Sequence, residues 1–353
     1  MHTASDKSLY DLTFDELRAR LIDWGEPAFR TKQIWEWLYV ELAASYDAMT
    51  NLPKPLRERL SAAHPLGRLT PQIDLLSSDG WTRKILFALP DGAQIETVLM
   101  EYDTRNTACV STQAGCAMGC VFCATGQMGL RRNLTSGEIV EQVMYYARLL
   151  HQKGEQVTNV VVMGMGEPFH NYEATLAAID RLNERDGFNF GARRFTISTV
   201  GLVPAIRRFT AEKRQINLAV SLHAADDELR SSLMPVNRKY PIGELLDACR
   251  EYVEQTGRRI SFEWALIQGV NDTPEQARKL ADRLQILKRQ GTTLCHVNVI
   301  LLNPSPQYRQ QASTRERAEA FLAEIRRHGI PCSIRLRRGI DIQAGCGQLA
   351  GQL

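Results

Sequence analysis

From about residue 105 onward, short apolar runs alternate with amphipathic stretches, and this rhythm narrows the fold more than any other feature of the chain. The runs at 108–111, 159–163, 194–198, 217–222, 261–267, 296–301 and 332–335 read as strands. Helical spacing fills the intervals near 136–153, 173–185, 203–211, 226–231, 242–256, 274–290 and 313–328. Alternation of this kind builds an α/β domain with a parallel sheet covered by helices. Six βα units are too few to close an eight-stranded barrel. The expectation is an open, partial (βα)6 TIM-like barrel with its functional loops at the C-terminal ends of the strands.

The remainder divides into two parts. Residues 1–65 predict a small helical domain: Thr13-Phe14-Asp15-Glu16 is a capping box, and Phe29, Ile34, Trp35, Leu38 and Tyr39 keep helical spacing after Pro27. Residues 66–102 predict a β-hairpin linker, with strands at 84–89 and 94–100 joined by Pro90-Asp91-Gly92-Ala93. Residues 103–353 are then the α/β core and its C-terminal tail. No apolar run is long enough to cross a bilayer, and no export signal opens the chain. A cytoplasmic monomer with no membrane partner is the expectation.

In that setting the eight cysteines should be reduced thiols. Four fall within fifteen residues, and Cys116-Ala-Met-Gly-Cys120-Val-Phe-Cys123 has the spacing C-x3-C-x2-C. Zinc wants four closed ligands, usually as two C-x2-C pairs, and no second pair exists. A ferredoxin cluster wants four thiolates. Three cysteines on one loop suggest a [4Fe–4S] cluster with one iron left open. Cys249, Cys295 and Cys332 match no motif and read as core.

The loop resembles the signature of the radical S-adenosylmethionine (SAM) enzymes, with aromatic Phe122 before the last cysteine. The resemblance implies that Cys116, Cys120 and Cys123 hold the cluster and that SAM chelates its open iron. Gly164-Met165-Gly166-Glu167-Pro168 looks like the family's glycine-rich acidic loop. Gly166 would let the backbone approach SAM, and Glu167 would accept from its ammonium. Ser198, Ser221-Leu222-His223 and Asn303 end later strands and are the further cofactor-binding candidates.

Three longer stretches narrow the resemblance to the RlmN/Cfr family of RNA (adenine) methyltransferases, on the RlmN side. They are Cys109-Val-Ser-Thr-Gln-Ala-Gly-Cys116, Gly129-Leu-Arg-Arg-Asn-Leu-Thr135 and Asp341-Ile-Gln-Ala-Gly-Cys346-Gly-Gln-Leu349. Adenine C2 is electron-poor and cannot attack a methyl sulfonium. The resemblance implies a route using two SAM molecules per turnover. Cys346 matches the cysteine that is methylated, and Cys109 the cysteine that later attacks its sulfur, forming a transient disulfide. Glu96 matches a proton acceptor for the C2 proton. Cys109 and Cys346 must then lie close in space.

The implied substrates are an adenine of 23S rRNA and one of tRNA, unstacked for reaction, and a flavodoxin- or ferredoxin-type protein is the implied electron donor. Net charge is only +3, and residues 1–70 hold 9 Lys/Arg against 10 Asp/Glu. The helical domain of residues 1–65 and the arginines at 326, 327, 335, 337 and 338 are the candidates to hold RNA. The near-neutral charge counts against the former as a purely electrostatic surface, so shape recognition is expected to matter more than bulk charge. Three other readings stay open: Cfr-type methylation at C8 giving antibiotic resistance, an iron–sulfur electron carrier or redox sensor, and a radical SAM enzyme acting on a peptide or metabolite.

Overall fold

The computed structural model describes residues 7–289, 291–303, 305 and 307–351. Helices α1 (Phe14–Asp23), α2 (Phe29–Tyr39) and α3 (Lys54–Ala63) come first. The capping box forms as its spacing predicts. Thr13 Oγ1 accepts from the Glu16 N–H at 3.0 Å, and Glu16 Oε2 accepts from the Thr13 N–H at 2.7 Å. Two backbone donors left open by the helix start are thereby satisfied.

A single ten-stranded sheet follows. Its order is β1 (Thr70–Leu76), β2 (Thr82–Ala88), β3 (Gln94–Tyr102), β4 (Arg105–Cys109), β7 (Asn159–Val162), β8 (Phe195–Thr199), β9 (Asn217–Ser221), β10 (Ile260–Leu266), β13 (Cys295–Leu301) and β14 (Cys332–Ile334). From β4 to β14 every pairing is parallel. Six crossovers link these strands. They contain α5 (Ser136–His151), α6 (Tyr172–Asn183), α7 (Val203–Ala211), α8 (Asp227–Leu233) with α9 (Ile242–Thr256), α10 (Pro274–Leu284) and α11 (Arg315–Arg327). The partial (βα)6 barrel is therefore present. Two ribbons stand apart from the sheet, β5 (Gln113–Cys116) with β6 (Gly129–Asn133) and β11 (Lys288–Arg289) with β12 (Thr292–Thr293); a short α4 (Ala124–Gln127) lies between β5 and β6.

Two expectations need correction. Residues 66–102 are not a separate hairpin linker. They form three antiparallel strands, and β3 pairs with β4 from Val98↔Cys109 to Tyr102↔Arg105, so they extend the barrel sheet. Ile85, Phe87, Ile95 and Val98 are buried by that extension. The strand read at 108–111 ends at Cys109; the Val110 N–H still donates to the Val161 carbonyl of β7 at 3.0 Å, but Ser111 and Thr112 bond outside the ladder. The Ser111 N–H donates to Gln142 Oε1 at 2.7 Å, and the Thr112 N–H to the Met165 carbonyl at 2.8 Å.

The helical unit and the barrel share one apolar core. Asp11 Oδ1 accepts from the Gly137 N–H at the start of α5 (2.8 Å), and the Arg181 guanidinium of α6 lies 4.9 Å from the Trp35 ring centre. Trp35 is fully buried, edge-on to Phe14 at 5.4 Å. Trp35→Ala should cost about 3–5 kcal/mol and lower the urea midpoint of unfolding. An unchanged midpoint would contradict this packing.

Candidate active site

The parallel strands end around a cavity of about 200 Å³. Cys109 reaches it from the end of β4, Gly166 and Glu167 from the loop after β7, and Ser198 from β8. Ser221, His223 and Asn303 join from the ends of β9 and β13. Cys120 and Cys123 line the same space, and Cys346 meets it from the C-terminal segment. Leu222 does not: it is fully buried in the apolar core, so its expected cofactor contact is not supported. Glu96 is likewise absent from the wall. It is buried, 2.7 Å from Lys84 Nζ, and accepts from the backbone of Ala350 and Gly351.

The cysteine loop is more ordered than its sequence suggests. Cys116 ends β5 opposite Gly129 of β6. Past the ribbon, the Val121 N–H donates to the Leu233 carbonyl at 3.0 Å, and the Phe122 ring stands edge-on to His223 at 4.9 Å. His223 takes a left-handed backbone conformation (φ +59°), and its Nδ1 accepts from the Ala265 N–H at 2.8 Å. Burial, reinforced by Arg230, pushes its pKa down to about 3, so the ring is neutral.

Burial pushes Cys116 up to about 12, Cys120 well above its ordinary value, and Cys123 up as well. The three interact electrostatically with one another. As free thiols they keep their protons, and a metal centre that binds them must displace those protons. Among the described residues, no three Cys, His, Asp or Glu side chains gather tightly enough for a single ion. A [4Fe–4S] cluster distributes its thiolates over separate irons, so this set of soft donors fits it.

Polar groups expected to meet SAM are partly committed to the protein. Glu167 Oε1 accepts from the Phe169 N–H at 3.0 Å and Oε2 from the Val200 N–H at 2.8 Å, while burial raises its pKa to about 7. Asn303 Nδ2 donates to the Cys346 carbonyl at 3.1 Å, and its Oδ1 accepts from Arg337 Nε at 3.2 Å. Gly166 has φ +101°, and a Cβ there would lie 2.6 Å from Gln113 Cβ, so this turn needs glycine.

Cys109 and Cys346, 237 positions apart, come together. Burial, with the charge of Cys346 adding to it, pushes Cys109 up to about 12. Two arginines hold positions in the site that the sequence reading did not give them. Arg335 faces Cys346, Glu263 and Cys109, and the charge of Cys346 is the main cause of its raised pKa. Arg230 is fully buried and donates to the carbonyls of Leu222 (3.1 Å), Val200 (2.7 Å) and Ser221 (3.1 Å), joining the ends of β8 and β9. Arg335 had a signal, its place in the 326–338 run; Arg230 had none. The arginines of that run lie in different places. Arg327 pairs with Glu324, Arg335 enters the cavity, and Arg338 lies over Trp81 and Tyr102.

The parallel partial barrel and its three-cysteine loop define a radical SAM protein, and residues 110–281 match the radical SAM superfamily profile. Residues 7–64 match the profile of the ribosomal RNA large subunit methyltransferase N-terminal domain. A probable dual-specificity RNA methyltransferase RlmN of Chloroflexus aurantiacus is 52% identical over 100% of this chain and 95% of that protein. The dual-specificity RNA methyltransferase RlmN 1 of Myxococcus xanthus is 49% identical over 99% and 96%. The crystal structure of a radical SAM methyltransferase from Sphaerobacter thermophilus superposes with a TM-score of 0.94 at 53% identity, covering 98% of this chain and 100% of that one. The chain belongs to the RlmN family.

Two outcomes test this site. Cys120→Ala should abolish the visible iron–sulfur absorption after anaerobic reconstitution, and an undiminished spectrum would contradict the ligand set. Gly166→Ala should keep that absorption while SAM cleavage to 5′-deoxyadenosine falls at least about tenfold, because the strained turn must shift. Cleavage at the normal rate would show that the turn does not shape the SAM site.

Proposed function

We propose that this protein methylates C2 of an adenine in 23S rRNA and of an adenine in tRNA, using two SAM molecules per turnover, with Cys346 as the methyl carrier. The observation that carries the reading is the presence of Cys109 and Cys346 in one cavity with two cysteines of the cluster loop. Cys116, Cys120 and Cys123 would hold the [4Fe–4S] cluster. When bound, the cluster and SAM supply a methyl group and a 5′-deoxyadenosyl radical.

The chain's own groups do the rest. Cys346 is exposed, so its sulfur is open to a methyl donor and then to RNA. Arg335 places its positive charge beside Cys346 and Cys109. The S-methyl carbon, once it has lost a hydrogen atom, adds to electron-poor C2 and ties Cys346 to the RNA. The adduct's unpaired electron would return to the bound cluster, and C2 gives up its proton to a base. The Cys109 thiolate then attacks the Cys346 sulfur, and the bond from that sulfur to the methylene carbon breaks as the disulfide forms. A proton taken up at the freed carbon completes the methyl group of the released adenine. Burial keeps Cys109 protonated until that step, which limits premature attack. Gly166, Glu167, Ser198, Ser221, His223 and Asn303 form the wall against which SAM would be oriented.

C2 is preferred over C8 because the relatives that match along the full chain carry the RlmN name. A four-thiolate electron carrier would not need Cys346 beside Cys109 at the mouth. To the same reading belong a cytosolic monomer and a flavodoxin- or ferredoxin-type donor. Among the described residues no helix is long and apolar enough to cross a membrane.

Cys109→Ala should trap a denaturation-resistant protein–RNA adduct, visible as a retarded band removed by ribonuclease. Normal release of 2-methyladenosine by that variant would overturn the role of Cys109. In the unaltered enzyme, adduct resolution should accelerate with pH by up to about tenfold per unit, since the thiolate fraction of Cys109 rises below its pKa. A flat profile for that step would count against a buried, protonated Cys109.

A further inference from the structure

The segment that carries Cys346 is fastened on both flanks. Upstream, Lys84 Nζ donates to the Gln343 carbonyl at 3.4 Å. Downstream, Glu96 Oε2 accepts from the N–H groups of Ala350 at 2.7 Å and Gly351 at 3.2 Å. The two side chains are themselves joined, Lys84 Nζ to Glu96 Oε1 at 2.7 Å, and are only 3% and 1% exposed. Charges at that depth persist when they are paired and hydrogen-bonded.

The register explains how the pair reaches the tail. Lys84 of β2 lies opposite Val98 of β3, and Glu96 lies opposite Leu86, so 84 and 96 are diagonal neighbours on one face. Positions 96, 98 and 100 share that face, and Val98 and Met100 continue it to the cavity wall. Glu96 thus sits beneath the site. Both carboxylate oxygens are engaged by the protein, one by the Lys84 ammonium and one by the tail backbone.

We propose that Lys84 and Glu96 are a clamp on the C-terminal segment that holds Cys346 at the cavity beside Cys109. The inference rests on Cys346 being the methyl carrier, but the clamp can be read without turnover.

Hydrogen exchange of peptides covering 343–351, followed by mass spectrometry on the full chain without cofactors, is the direct test. Lys84→Met combined with Glu96→Leu removes both charges at once, so no buried charge is left unpaired. A chain ended after Leu349 removes both N–H donors without touching the sheet. In either variant the remaining tail amides should exchange about tenfold faster, with α1–α3 unchanged. In the reconstituted enzyme both variants should still form 5′-deoxyadenosine but methylate about tenfold less RNA per molecule formed. That uncoupling is not what a general loss of fold produces. Tail exchange at the unaltered rate in both variants overturns the clamp. RNA methylated at the unaltered ratio to 5′-deoxyadenosine by the chain ended after Leu349 overturns it as well. An unaltered enzyme that never methylates Cys346 overturns the underlying reading instead.

Discussion

One backbone hydrogen bond ties the chemistry of this protein together. The Ala124 N–H, one residue past the last cysteine of the cluster loop, donates to the Gly347 carbonyl, one residue past the tail cysteine, at 2.8 Å. The Thr125 hydroxyl repeats the connection to the Leu349 carbonyl. Asn303, at the end of a barrel strand, takes the Cys346 carbonyl. Three segments remote in sequence therefore meet at a point, and none of these bonds depends on the identity of a tail side chain. Each contributes on the order of 1 kcal/mol. The buried Leu349 is the apolar anchor beside them. A tail held by a few bonds of that size is fixed enough to present a thiol, yet its exposed Cys346 remains free of the core.

Around this point the site separates its sulfurs by environment. The three loop thiols and Cys109 are buried or nearly so, and desolvation holds their protons on. Cys346 alone among the eight is exposed. Arg335 is placed where its charge acts on both Cys109 and Cys346. In the proposed reaction the nucleophile that waits and the carrier that reacts first are distinguished by solvation, with one guanidinium beside both.

Much of this was legible in the sequence. The βα alternation located all seven parallel strands, because each is a short apolar run bounded by helices of clear period. The three-cysteine spacing and the tail cysteine pointed to the site. What the sequence hid has physical causes. β1 is largely exposed, so it lacks the alternation that marks a half-buried strand. The β5–β6 ribbon is short, and β6 is mostly exposed. Arg230 gains its importance only from carbonyls brought together by folding. Glu96 stands on a strand like a solvent-facing residue, and only the pairing of β2 with β3 and the return of the tail bury it. Several surface arginines are paired with carboxylates on folding: Arg207 meets Glu251, Arg208 meets Glu173, and Arg132 meets Asp91 and Glu138.

The central claim is that the methyl carbon rests on Cys346 before it reaches RNA. The most direct measurement is mass spectrometry of the Cys346 peptide from enzyme produced with isotopically labelled methionine, before and after one turnover with RNA and unlabelled SAM. The account predicts a labelled S-methyl group on Cys346 at the start, and its label in 2-methyladenosine afterwards. Unmodified Cys346 at the start, together with product carrying only the unlabelled methyl group, would contradict it.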